Sequence, residues 1–529
     1  MYNKYNITVL SFFFLILLFP FLGIFSKLNY DIEEVRIFLS NSYTQRIIFF
    51  SFYQAFLSAF ISCVLAIPFA LALNRHKDNK FIRYIISLCG FSFVIPSILV
   101  VFSVIKLFGY NGFFNTYFNF YDLFSIKSIY GLKAILIAHV LLNTPFATRL
   151  FVQNLNNIPK KYYEISESIN LSFLGNILKL ELPIIKQSLF AVFSIIFSLC
   201  FLSFAIVMAL GGNPKNSTLE VAIFQYALFD LNFNKAILLS FIQIFICITF
   251  VFIGFYKFKG SNFFEIGAIK HKHPHQNNRL IKLIDYFLIL FFILVLFSPI
   301  WVIYTEFSKS IFLKVNLTYT FVNAFKNSII ISLLTGVIVS IFGLLISYLI
   351  VINHKNFILQ QLLLLTSSVI LIISPIIFSL GYFIFFQPII NFSYVKVFLV
   401  ILINVIFLLP FAILIFFSNL KNLYLSFNDF RKSYRIDLIS YIKIIFPLLR
   451  KNFFYVFSFS TVITFGDFTI ISFFRSENFE TLPSYLFKLI STYQFNEASF
   501  VAGIILFLSM IIYFIIDNFD YQGRPDITT

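Results

Sequence analysis

Few side chains in this sequence are equipped for covalent chemistry. Within its apolar stretches the obvious ionisable groups are His139 and Asp467, which lie in different halves of the chain. A membrane-embedded enzyme needs carboxylates or imidazoles converging at one depth, and a proton relay needs a series of buried ionisable groups. Asp467, with Lys106 and Lys235 near the ends of apolar stretches, is thin material for either. The run KHKHPHQNN at 270–278 has three histidines at alternate positions. It reads as a metal ligand set or, better, as a solvated tether. Cys63, Cys89, Cys200 and Cys247 all fall in apolar stretches without CxxC spacing, which reads as buried thiols and excludes no compartment. No metal site is expected. The chain contains no GxxxxGK[ST] phosphate loop, nor any Gly-Lys pair, so ATP chemistry in its process belongs to another polypeptide. The expectation is a protein that is not an enzyme and holds no cofactor.

Polar residues within apolar stretches can still serve a passing solute. Asp467 lies about fourteen residues into a candidate span, past the bilayer midplane at roughly 1.5 Å per residue. A carboxylate there costs at least about 2.5 kcal/mol on insertion scales, so it must face a cavity or a partner. Either it caps a helix break beside Gly466 or pairs with Arg475, or it meets a cation on its way through. Asn143, Thr144 and Arg149 surround Pro145, which removes a backbone donor and kinks its helix, leaving carbonyls that need partners or water. Ser203, Thr461 and Thr464 sit in two other spans, where they either satisfy neighbouring backbone or line a path.

The elements that carry these residues follow from composition. Of 529 residues 60% are hydrophobic and only 12% charged, with mean hydropathy +0.92, far from the roughly 25% charged residues of soluble domains. A helix needs about 20 apolar residues to span the hydrocarbon core. Twelve windows qualify: 7–26, 48–73, 84–105, 134–152, 188–210, 236–256, 284–304, 328–352, 357–385, 397–417, 453–473 and 498–516. The first reads as a membrane helix because it follows a single lysine and lacks a small-x-small cleavage site. Placing both termini in the cytoplasm puts Arg75, Lys77, Lys80, Arg83, Lys160, Lys161, Lys257, Lys259, Lys270, Lys272, Arg279, Lys282, Arg431, Lys432, Arg435, Arg450 and Lys451 on the inner side. The net charge of +17 is then a matter of topology and anionic lipid headgroups. Basic residues dispersed over several loops, with no binding module, argue against nucleic acid as a partner.

The chain also repeats itself. HVLLNTPFATRLFVQNLNN from His139 resembles NVIFLLPFAILIFFSNLKN from Asn404, LALNRHK ending at Lys77 resembles LIVINHK ending at Lys355, and TLEVAIFQ from Thr218 resembles TLPSYLFK from Thr481. The expected organisation is a first half at 1–260, a linker at 261–282 and a second half at 283–529. Six spans in each half make a parallel repeat about an axis along the membrane normal. Fused permease halves of ATP-driven importers and major facilitator transporters both have it. The fold class expected is all-α, a polytopic membrane protein of about 12 transmembrane helices in two six-helix repeats.

One loop separates these classes. In YYEISESINLSFLGNILKLELP at 162–183, a helical reading puts Ile165, Ile169, Phe173 and Ile177 on one face and Glu164, Ser166, Glu167, Ser168 and Ser172 on the others. Asn170, one of the few non-glycine residues that tolerate a left-handed conformation, divides the segment into two short helices, and Pro183 leads into the fifth span. In the second half Phe430, Tyr434, Leu438 and Ile442 form a similar stripe within 426–447, and Pro447 again precedes a span.

Glu164-Ile165-Ser166, Asn170 and Leu180-Glu181-Leu182-Pro183 resemble the EAA loop of binding-protein-dependent ABC importers: Glu-Ala-Ala, three residues, Gly, about nine residues, then Ile-x-Leu-Pro. The second copy is eroded, with Asp429 the nearest acid and Tyr434 or Arg435 at the glycine position. The resemblance implies coupling helices, near 161–178 and 428–443, seated on two copies of an ABC ATPase that holds ATP and magnesium. It further implies a periplasmic substrate-binding protein, a bacterial inner-membrane location and the type I importer permease fold. Residues 201–236 and 464–498, above all ENFETLPSYLF followed by STYQFNEA, resemble the fused permeases for thiamine and, less closely, those for ferric iron. Thiamine or its phosphates is the substrate class implied, with ferric iron the alternative and a proton-coupled secondary transporter a more distant one.

Overall fold

A computed structural model describes residues 18–27, 31–123, 128–212, 214–256, 273–274, 276, 278–312, 319–352, 373–433 and 438–521. Among these residues the regular structure is helical, apart from one isolated bridge between Ser476 and Phe479. The helices used below are α1 (Ser42–Arg75), α2 (Lys80–Leu88), α3 (Ser97–Phe108), α4 (Leu132–Leu155), α5 (Lys160–Ser168), α6 (Leu182–Phe201), α7 (Ala205–Leu210), α8 (Leu219–Leu228), α9 (Phe233–Tyr256), α10 (Arg279–Phe312), α11 (Tyr319–Ile352), α12 (Pro375–Phe385), α13 (Ser393–Ser433), α14 (Leu438–Phe465), α15 (Thr469–Phe474), α16 (Leu482–Ser491) and α17 (Phe495–Tyr521). Nine helices among the described residues are long and apolar enough to cross a membrane. The protein is an all-α, multi-pass membrane protein.

Seven expected windows are each covered by one helix: α1, α4, α9, α10, α11, α13 and α17. Residues 7–17 and 357–372, parts of two further windows, lie outside the described residues. The remaining three windows are broken helices. Window 84–105 divides between α2 and α3: a short 3-10 turn at Phe91–Phe93 follows Gly90, where the Arg149 side chain leaves no room for a Cβ, and Pro96, which has no N–H to donate, precedes α3. Window 188–210 breaks after Phe201 and resumes as α7, while window 453–473 breaks after Phe465 and resumes as α15. Pro145 breaks nothing: α4 runs continuously through it.

Packing divides the chain into two compact units, one of Val35–Ala222 with Phe245–Phe312, the other of Met1–Glu34, Ile223–Ile244 and Leu313–Thr529. In the first, α1 is central and lies along α4 and α6, with α10 against α1 and α3. Ala55, Ala59, Ala66 and Ala70 are fully buried on α1, and such small side chains let helices approach closely where water supplies no driving force. Larger rings fill the remaining space: Phe69 meets Phe292 at 4.9 Å and Phe197 stacks on Phe250 at 4.0 Å between centroids. In the second unit α11 packs on α13 and α14, and α14 on α17. The helix at residues 18–26 brings Gly23 directly against Gly381 of α12, where neither position has room for a Cβ.

Equivalent positions of the sequence repeat make the same contact in each unit. The first free N–H of α8, from Leu219, donates to Ser51 Oγ at 2.8 Å, and that of α16, from Leu482, donates to Ser328 Oγ at 2.7 Å. The following turns each place a non-glycine residue in the left-handed region, Leu231 at φ 52° and Tyr493 at φ 60°.

Candidate functional site

The segment joining α4 to α6 is built by local chemistry. Pro159 opens α5 with its fixed φ, and Glu164 pairs with Lys160 across one turn at 3.0 Å, an exposed contact worth little. Asn170 takes φ 50°, ending α5, and Leu171 N–H closes the turn on Ser166 O at 2.9 Å. Ser172 Oγ then accepts from Gly175 N–H and starts a new turn at Phe173. Pro183 has no N–H for the carbonyl four residues back, and the turn before it, Ile177–Glu181, widens to a π-helix. The two-helix reading of this segment, divided at Asn170, matches the structure.

The segment exposes apolar side chains beside the charged Glu164 and Glu167. Tyr162, Ile165, Ile169, Leu174 and Leu178 are 53 to 65% exposed, while Tyr163, Ser166, Asn176 and Glu181 are buried. Ser166 Oγ donates to Tyr163 O at 2.9 Å. The expected stripe therefore needs one correction. Beyond Asn170 the left-handed residue shifts the register, so Phe173 and Ile177 are half-buried and Leu174 and Leu178 take the outward positions. Phe173 instead lies under the Arg75 guanidinium, 5.1 Å from its ring centroid.

Beneath the segment is a buried ionic cluster that sequence reasoning missed. Arg75, at the end of α1, donates from Nε and Nη2 to the two oxygens of Asp285 on α10, at 2.9 and 2.6 Å. His76 Nε2 also reaches Asp285, at 3.0 Å, with its ring stacked on Tyr286. The other edge of Arg75 faces Glu181, Nη1 to Oε2 at 3.7 Å. Tyr163 donates to Glu181 Oε1 at 3.5 Å, and His273 Nε2 lies 3.2 Å from the same oxygen, its ring edge-on to Tyr163. Burial, then the Glu181 charge, pushes the Tyr163 hydroxyl above its ordinary range. Burial lowers the neighbouring Lys77, which donates to Asn156 Oδ1 at 2.8 Å. His273 had the profile of a solvated tether, and it is buried. The missed signal was available: Glu181 and Asp285 are carboxylates within or beside apolar windows, and such groups need partners.

The second loop is seen in part. The backbone is helical to Ser433 and again from Leu438. Residues 434–437, with Tyr434 and Arg435, lie outside the described residues, as do the side chains of Asp429 and Leu438. Pro447 is exposed and falls inside α14 rather than ahead of it.

The polar residues within the spans are distributed between the units. Asn143 donates to Cys200 Sγ at 3.2 Å between α4 and α6, Thr144 beside it is buried, and His139 meets Ser58 at 3.0 Å. Ser203 is half-buried at the break between α6 and α7. In the other unit Thr461 Oγ1 donates to Phe457 O at 2.7 Å, Thr464 is buried, and Asp467 stands at the break between α14 and α15. The Asp467 carboxylate accepts from the backbone N–H groups of Thr469 and Ile470, at 3.1 and 3.2 Å, capping α15. Arg475 pairs elsewhere, with Glu480 at 3.7 Å. Lys106 pairs with Glu306 at 2.5 Å, and Lys235 lies over the Tyr226 ring. Among the described residues no group of three or more metal-ligating side chains converges.

No family model matches the chain. It is 30% identical over 512 residues to the thiamine transport system permease protein ThiP of Haemophilus influenzae, an alignment covering 93% of this chain and 91% of the relative. It is 26% identical over 485 residues to the protein of the same name from Escherichia coli, covering 90% and 89%. A protein of Haemophilus influenzae named as a candidate ferric transport system permease, FbpB 1, is 26% identical over 214 residues, only 39% of this chain.

Proposed function

The chain belongs to the family of the thiamine transport system permease proteins, and from that premise we propose that it is the membrane-spanning subunit of an ATP-driven importer for thiamine or its phosphates. The observation that carries this reading is the near full-length similarity to thiamine permeases. The ferric relative matches a much smaller part of the chain, which favours thiamine over iron.

The loop between α4 and α6 supports the coupling role. This segment presents Ile165, Ile169, Leu174 and Leu178 at its surface, beside Glu164 and Glu167, while Tyr163, Ser166 and Glu181 are buried. An apolar face at helical spacing suits the groove of a partner protein. Two copies of a separate ATPase, which holds ATP and magnesium, occupy this face and that of the second loop, where Asp429, Tyr434, Leu438 and Pro447 are the corresponding residues. Glu164, Ser166, Asn170 and Pro183 shape the first loop. The lysines and arginines near both loops favour a cytoplasmic side for them, with the chain in a bacterial inner membrane and a binding protein delivering substrate from the periplasm.

The permease forms and breaks no covalent bond. It stabilises inward-open and outward-open states unequally, and each partner shifts that balance only through its different affinity for the two. Among the polar residues, Ser203 and Asp467 stand where helices break, which makes them, with Asn143, Thr144, Thr461 and Thr464, the candidates for contact with substrate. Thiamine carries a fixed positive charge that a carboxylate such as Asp467 suits. In a bacterium unable to make thiamine or to import it, expression of this chain with its ATPase and binding protein restores growth at low external thiamine. Failure to restore growth, with all three proteins present in the membrane fraction, would refute the assignment.

A further inference from the structure

We propose that Arg75 is the positioning residue that makes the α4–α6 loop, the end of α1 and the start of α10 move as one body, so that displacement of the loop becomes displacement of the two helices. The proposal rests on the reading of the chain as an ATP-driven importer permease and concerns how that importer transmits force.

The geometry is specific. Six side chains from five stretches of the chain meet in one buried cluster: Arg75, His76, Tyr163, Glu181, His273 and Asp285. Arg75 is 4% exposed and both carboxylates are fully buried. Its planar fork holds Asp285 bidentately along one edge while Nη1 on the other faces Glu181. Arginine can serve two carboxylates at once in this way, and a lysine ammonium cannot do so with the same fixed geometry. Buried opposite charges separate only if water or other charges replace the lost partner, so pulling these groups apart is costly. The loop therefore cannot slide over the ends of α1 and α10 as an exposed helix would. His273 extends the same connection to the linker between the halves, because it contacts Glu181 and Tyr163.

The outward face of the loop and this inward cluster divide the work. Ile165 and Ile169 receive the partner, and Glu181 and Arg75 carry the motion inward. Loss of the inward contact should leave the partner bound and hydrolysing ATP while uncoupling hydrolysis from transport, which distinguishes a positioning role from a purely structural one.

The test uses the full permease with its ATPase and binding protein in liposomes, comparing Glu181→Gln and Arg75→Lys with the unaltered chain. Glu181→Gln conserves shape and the polar contact with Tyr163, and Arg75→Lys keeps the charge while losing the bidentate fork. The readouts are complex recovery, ATP hydrolysis, and labelled thiamine taken up per ATP hydrolysed. In both variants the complex is recovered and hydrolysis persists, while uptake per ATP falls by about ten-fold or more, within the range of measured coupling effects. Adding Asp285→Asn to Glu181→Gln lowers the ratio little further, since both act through Arg75. An unchanged ratio in both variants would overturn the proposal, and so would hydrolysis and uptake falling in parallel. An unaltered complex that hydrolyses ATP but moves no thiamine would overturn the importer reading itself, and this proposal with it.

Discussion

Replacing Ile165 and Ile169 together by aspartate should abolish ATPase binding while leaving the permease folded. The two side chains are 55% and 63% exposed, so they contribute little to the internal packing of the chain. Substitutions at such positions usually change stability by no more than about 0.5 kcal/mol. Burying the exposed part of each isoleucine against a partner is worth roughly 1 to 1.5 kcal/mol, so about 2 to 3 kcal/mol is lost with the pair. Forcing two carboxylates into the same apolar groove adds about 1 to 3 kcal/mol apiece from unpaired burial. The sum is about 4 kcal/mol at the least, and at 1.4 kcal/mol per decade it weakens the complex roughly a thousand-fold. The assay is co-purification of the ATPase with detergent-solubilised permease, with the thermal unfolding midpoint of the permease alone as the control. An unchanged midpoint with loss of ATPase is the expected result. Retention of the ATPase at unaltered affinity would refute the account of this face, and a collapsed midpoint would show that the isoleucines belong to the core.

Other substitutions probe the supports beneath the site. Arg75→Met leaves Asp285 and Glu181 buried without their shared cation and should cost about 3 to 5 kcal/mol, read as a lowered unfolding midpoint of the purified chain. Ser51→Ala and Ser328→Ala each remove the acceptor for a helix N-terminal N–H, and each should cost about 0.5 to 2 kcal/mol in the same assay. Similar losses for the two would show that the repeat extends to energetics, and a negligible loss for either would contradict it. Asp467→Ala removes the cap of α15 at a similar cost of about 1 kcal/mol, whereas Asp467→Asn keeps an acceptor and should unfold within a degree or two of the unaltered protein.

The parts of the fold that local rules govern were legible in the sequence. Continuous apolar windows became α1, α4, α10, α11, α13 and α17, because a helix in lipid must satisfy its own backbone and only length and composition are needed to see it. The turn at Asn170 was legible for the same kind of reason, since its side chain tolerates the conformation the backbone adopts there. What depends on residues distant in sequence was not. The close approach at Gly90, which leaves no room for a side chain, comes from Arg149, a residue of another helix. Periodicity marked the apolar residues of the α4–α6 loop but could not say that Ile165 and Ile169 are exposed while Tyr163, Ser166 and Glu181 face the protein. Glu181 is buried against Arg75 and His273, and Arg75 against Asp285, partners that periodicity cannot bring to the loop. Asp467 was legible as a group that needs partners, and the structure assigns two of them to the backbone of α15.

The central claim is that this chain carries thiamine across the membrane at the expense of ATP hydrolysed by a partner. The most direct measurement is uptake of labelled thiamine, and separately of labelled ferric iron, into liposomes holding the chain with its ATPase and binding protein. The account predicts thiamine accumulation that requires ATP, stops when the ATPase is inactivated, and is undiminished by excess ferric iron. Accumulation of iron without thiamine, or thiamine entry independent of ATP, would contradict it.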